Sequence, residues 1–210
     1  MDYIFFIEYF KQLSLIMNQN KEFLIDLDSI VGDGDLGLTM SDGFNAAYNS
    51  IQNTTGTDLG KLFYTAGKSM SIAVPSTMGT LMASGLMNIG KSFKGIQTVS
   101  SLDIPFLFES YLYGVMNRGK AQIGEKTFLD GLYPAVEKMK EQIAKTTDLL
   151  IIANEAVAAA KLGFENTTNM LAIHGRAAIR GEESRTFQDP GAAVAYLMIC
   201  AFKRTVDITL

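Results

Sequence analysis

Apolar residues recur at helical spacing along almost the whole chain. No stretch of useful length alternates apolar and polar residues as a half-buried strand would. That pattern confines the chain to an all-α fold. The spacing predicts helices over 4–18, 20–30, 37–52, 58–73, 76–92, 102–119, 129–146 and 148–164, a short one over 166–173, and a last one from Pro190 to about 204. The break at Val74-Pro75 follows from proline, which disfavours helix in the residue before it. Asp130 and Asp148 are candidate N-caps, and Pro190 sits where a helix can start. Residues 175–189 read as a long charged loop. Most other connections are short, which makes sequential helices antiparallel neighbours. With 210 residues, 48% of them hydrophobic, the chain can bury a sizeable core, and one domain over 1–210 is expected.

Charge and composition remove several function classes. A net charge of −4 argues against a nucleic acid as partner, since such binders present basic patches. Residues 69–90 carry no charge and are long enough to raise a membrane question. Pro75, the glycines and the many Ser and Thr residues argue against a continuous span, and the stretch reads as two buried helices meeting at a turn. The N-terminus lacks the basic start and small-residue cleavage site of a signal peptide. Cys200 is the one cysteine and sits in an apolar run, which fits a reducing compartment. A cytoplasmic location is expected.

Chemistry concentrates in residues 26–44. Asp28, Asp33 and Asp35 fall close together, separated by Gly32 and Gly34 and followed by Gly37. Carboxylates this close repel one another unless a cation sits between them. Their oxygens suit Mg²⁺ or Ca²⁺ rather than zinc, and the spacing does not fit an EF-hand. Mg²⁺ held by a few carboxylates completes its shell with water and substrate phosphates. A helix beginning near Gly37 could add free N–H groups facing a phosphate. The plainer reading is a polar, Gly-rich turn whose aspartates cap the next helix.

The segment Leu27-Asp-Ser-Ile-Val-Gly-Asp-Gly-Asp-Leu-Gly37 resembles the magnesium–nucleotide loop of the L subunit of dihydroxyacetone kinases. Arg118-Gly-Lys-Ala-Gln-Ile-Gly-Glu-Lys-Thr-Phe-Leu-Asp130 and Gly175-Arg-Ala-Ala-Ile-Arg-Gly-Glu-Glu-Ser-Arg-Thr-Phe-Gln-Asp-Pro-Gly-Ala192 resemble two further segments of that family, in its order and spacing. The resemblance implies a barrel of about eight antiparallel helices, with the nucleotide held by loops at one end. It implies that Asp28, Asp33 and Asp35 hold two Mg²⁺ ions against the phosphates of ADP or ATP. It gives Arg176, beside Gly175, a phosphate contact and counts it with the aspartates as catalytic. Thr127 and Phe128 are implied beside the adenine, although both could simply begin a helix and enter the core. Asp189-Pro190 matches a loop closing over the nucleotide and also reads as a helix start.

Two departures stand out. Pro75-Ser-Thr-Met-Gly79 occupies the place of a Gly-Gly-x-Ser-Gly phosphate loop. Gly79 is kept, while Ser76 and Thr77 could supply hydroxyls from shifted positions. Leu36 replaces a histidine common in the family. The sole histidine, His174, is expected at a helix C-terminus rather than in catalysis. The implied function is phosphotransfer to a small ketose held on a separate K-type subunit, with an M-type subunit rephosphorylating bound ADP. Because of the two departures, a nucleotide-sensing module, or a nucleotide subunit serving another acceptor, stays open.

Overall fold

The computed structural model describes residues 1–210 and contains nine α-helices with three 3₁₀ segments. The helices are α1 Tyr3–Gln19, α2 Lys21–Ser29, α3 Leu36–Asn49, α4 Leu59–Ala73, α5 Thr77–Ser92, α6 Ile104–Gly119, α7 Phe128–Ile143, α8 Leu149–Asn166 and α9 Pro190–Thr209. Polar side chains start many of them. Asp2, Asp58, Ser76, Thr127, Asp148 and Asp189 each accept a backbone N–H from the first turn that follows.

The eight long helices form a closed ring. α1 packs on α3, and each helix from α3 onward packs on the next until α9 returns to α1. The short α2 lies against α3 at the edge of the ring. Each helix turns its apolar stripe inward, and together the stripes make one continuous core of 54 buried residues. Aromatic edges lock its centre. Phe108 and Phe202 meet at 5.2 Å and Phe6 and Phe63 at 5.1 Å between ring centroids, both edge to face.

The wall made by α4 and α5 is unusually tight. A Cβ on Gly60 would lie 2.6 Å from the Gly90 carbonyl oxygen and 2.6 Å from the Lys94 backbone. Only glycine permits helices to approach this closely at that level.

The expected helices are found, with three corrections. No helix forms over 166–173. α8 continues to Asn166, a 3₁₀ turn covers Thr167–Asn169, and the chain then runs extended. Tertiary bonds replace the helical ladder there: Ala172 N donates to Ser184 Oγ and Ile173 N to Glu125 O. Asp130 is not an N-cap but the third residue of a capping box whose cap is Thr127. The loop 175–189 is not open, since Arg176–Thr186 winds into 3₁₀ turns interrupted at Gly181.

Candidate functional site

Three loop regions converge at one end of the ring around a cleft of about 870 Å³. The first is the aspartate loop between α2 and α3. Asp28 sits in the last turn of α2, Asp33 in the turn itself, and Asp35 just before α3. Gly34 adopts a φ of 72°, a left-handed conformation that lets the chain reverse between Asp33 and Asp35. One carboxylate oxygen from each aspartate lies within 4.8 Å of the others.

The three aspartates differ in their partners. Asp28 is partly buried, and Leu36 N, opening α3, donates to its Oδ2 at 3.4 Å. Burial raises its carboxyl above the ordinary range. The Leu36 N–H opposes that shift, and the charges of Asp35 and Asp33 add to it. Asp33 meets Arg176, whose Nη2 lies 2.6 Å from its Oδ2. Asp35 occupies the N-cap position of α3 without bonding to it. Capping α3 thus engages Asp28 alone and leaves Asp33 and Asp35 unaccounted for. Leu36, the first residue of α3, is buried in the core and also lines the cleft beside the aspartates.

The second region is the corner between α4 and α5. Pro75, Ser76, Thr77, Met78, Thr80 and Leu81 line the cleft. Ser76 Oγ accepts the Gly79 N–H at 3.0 Å and caps α5. Gly79 itself does not reach the cleft. It lies against the preceding turn, where a Cβ would stand 2.1 Å from the Val74 carbonyl oxygen. Its place is fixed by packing against that turn.

The third region joins residues 118–129 to residues 174–191. Thr127 Oγ accepts from Leu129 N, and the Phe128 ring is buried with its centroid 5.8 Å from that of Tyr111. Both residues still line the cleft, as do Gly175, Arg176, Asp189 and Pro190. Arg180 donates to the Ile30 carbonyl, tying this region to the aspartate loop. Asp189 caps α9 from a buried position, and burial pushes its carboxyl up to about 7. The Ala192 N–H and the Lys126 ammonium oppose that shift, and Asp130 adds to it. His174 ends no helix, contrary to expectation. Its Nε2 pairs with Glu125 Oε2 at the cleft wall, and that carboxyl is held low by the Gln122 N–H first and by His174 second.

Residues 30–204 match the family model described as DAK2 domain. The chain belongs to the DAK2 domain family. It is 31% identical to the ADP-binding subunit DhaL of PEP-dependent dihydroxyacetone kinase 1 from Listeria innocua, over 90% of this chain and 89% of that one. It is 28% identical to the ADP-binding subunit DhaL of the PEP-dependent dihydroxyacetone kinase of Escherichia coli, over 88% of both chains. Among solved structures it resembles the dihydroxyacetone kinase of C. freundii in complex with AMP-PNP and Mg²⁺, with a TM-score of 0.74 and 20% identity. That likeness covers 94% of this chain and a third of the kinase, 33%, and it establishes the barrel fold.

Several residues that line this DAK2 cleft escaped the sequence reading, among them Arg118, Val115, Leu81 and Lys126, while His174 reads from sequence as a helix end instead. Arg118 and Lys126 lie inside the second matching segment, which was the available signal. Val115 and Leu81 lie on helices whose apolar residues read simply as core.

Proposed function

We propose that residues 1–210 act as one nucleotide-binding domain, the ADP- or ATP-binding phosphotransfer subunit of a kinase for dihydroxyacetone or a related small ketose. One observation carries the proposal: Asp28, Asp33 and Asp35 cluster with Arg176 beside a cleft large enough for a nucleotide. The ADP-binding role named for the two DhaL relatives supports it.

The donor set fits Mg²⁺, being made entirely of carboxylate oxygens within one small cluster. Two Mg²⁺ ions held by Asp28, Asp33 and Asp35 would supply neutralisation of charge on the phosphoryl oxygens. The chain's own residues do the rest. Arg176 presents a planar fork suited to phosphate oxygens, now engaged by Asp33. Ser76 fixes the start of α5 by taking the Gly79 N–H, and the Thr77 and Met78 N–H groups of that first turn stay available to phosphate together with the Thr77 hydroxyl. Thr127 and Phe128 hold the start of α7 beside the base. Asp189 and Pro190 hold the start of α9, and Gly175 lets the backbone beside Arg176 come close. Positioning and charge supply most of the catalysis in phosphoryl transfer, and these residues provide both.

No helix is long and apolar enough to cross a membrane. In the proposed arrangement the ketose sits on a K-type subunit, and an M-type subunit returns phosphate to ADP in place, in the cytoplasm. The deciding experiment omits each component in turn from a transfer assay with labelled donor. The lone chain, given ATP and Mg²⁺, should leave dihydroxyacetone unphosphorylated, and activity should appear when a K-type partner is added. Robust sugar phosphorylation by the lone chain would contradict the split. ADP binding without transfer to any partner-held acceptor would favour a sensing module instead.

A further inference from the structure

Lys126 has no part in the mechanism above, yet its setting is unusual. It is 2% exposed and lines the cleft. Its backbone lies in the left-handed region at a φ of 59°. The other non-glycine residue there, Lys120, ends α6, a common place for that conformation. Lys126 ends no helix and stands immediately before the cap of α7. Strain of this kind persists only where the surroundings over-determine it, and it gathers at functional sites.

The surroundings are specific. The Lys126 ammonium donates to the carbonyl oxygens of Thr167 and Phe187, and it lies 5.1 Å from the centroid of the Phe187 ring. Thr167 extends the network, because its hydroxyl donates to the Phe164 carbonyl and accepts the Asp189 N–H. A single cation thus joins the end of α8 to the segment entering α9. From these points the chain runs into Gly175-Arg176 on one side and Asp189-Pro190 on the other, and both pairs line the cleft. Burying an ammonium is unfavourable, and an apolar side chain of similar volume often serves a fold equally well. The barrel alone therefore gives no reason for a lysine here.

We propose that Lys126 is a positioning residue for the nucleotide, clamping the 167–175 and 186–189 segments in the arrangement that binds it. The proposal rests on the nucleotide-binding reading. A clamp already in place spares the ligand the cost of ordering two segments, which is how preorganisation raises affinity. Lys126 needs no direct contact with the ligand for this.

The test compares wild type, Lys126→Met and Lys126→Arg in the full chain. Mg·ADP affinity is measured by calorimetry, and amide hydrogen exchange is measured without nucleotide. Lys126→Met should melt cooperatively but bind about tenfold more weakly, the factor that corresponds to about 1.4 kcal/mol. Its amides over 167–175 and 186–189 should exchange faster while those of α4 and α5 do not. Lys126→Arg should recover most of the affinity, since it keeps a cation and donors. Lys126→Met binding as tightly as wild type, unchanged exchange, Lys126→Arg binding as weakly as Lys126→Met, or loss of cooperative melting in Lys126→Met would each overturn the proposal. Wild type that binds no Mg·ADP defeats the nucleotide reading itself. That outcome is distinct from failure of the clamp, in which wild type and Lys126→Met bind alike.

Discussion

The α4–α5 wall and the cleft end of the barrel are held together by opposite means. The wall relies on contact. Gly60 and Gly90 let the helices touch, and buried Leu62, Phe63, Leu86 and Ile89 fill the space behind them. The cleft end relies on polar ties between segments far apart in sequence: Arg176 to Asp33, Arg180 to Ile30, His174 to Glu125, and Lys126 to Thr167 and Phe187. Close packing suits a scaffold because it admits a single arrangement. The exposed ones among them, Arg176 to Asp33 and Arg180 to Ile30, contribute little to stability and can be exchanged for a ligand's own groups, whereas the Lys126 ties are buried. The contrast separates the part of the molecule that carries stability from the part available for chemistry.

Breaking the wall should give the largest change in stability. Gly60→Val forces side-chain atoms against the Gly90 and Lys94 backbone and should destabilise the fold by about 3 kcal/mol, as overpacking does. Denaturant unfolding measures this. Mg·ADP affinity of the remaining folded protein should stay unchanged. A Gly60→Val protein as stable as wild type would erase the contrast.

Arg176→Ala probes the other end. Its ion pair with Asp33 is well exposed on both sides, so melting should shift little, with the pair worth at most about 1 kcal/mol. Phosphoryl transfer with partner subunits should fall by about tenfold or more, because a charged hydrogen-bond donor to phosphate is lost. Transfer at the wild-type rate would make Arg176 a surface residue.

The contrast also bears on what the sequence could reveal. Helices were legible because their periodicity is local, and the starts at Asp148 and Asp189-Pro190 lie beside the residues they serve. The aspartate cluster was legible for the same reason. The 166–173 segment was misread because its backbone bonds to Glu125 and Ser184, partners that no local window contains. His174 was misplaced with it. Lys126 was missed because a lone lysine reads as solvated, whereas its burial is made by residues 41 and 61 positions away. Closure of the ring depends on α9 finding α1, which periodicity does not encode; the family resemblance supplied it.

A smaller effect sharpens the comparison through pH. Asp189 is buried at the cleft end, and its folded carboxyl titrates near 7. In the unfolded chain it titrates at the ordinary value of about 3.9. Between those values the folded state holds the extra proton, so this group's contribution to stability falls as pH rises from about 4 to about 7. Asp189→Asn keeps a capping oxygen and should flatten that part of the stability–pH curve, measured by denaturant melts across the window. An unchanged slope would mean that Asp189 is ionised in the folded protein throughout.

The central claim is that the carboxylate cluster binds nucleotide through a divalent cation. Calorimetric titration of ADP tests it most directly, run on wild type with Mg²⁺, on wild type in EDTA, and on Asp33→Asn with Mg²⁺. The account predicts binding in the first case alone, with the helical circular dichroism of Asp33→Asn intact. Equal ADP affinity in EDTA, or in Asp33→Asn, would contradict it.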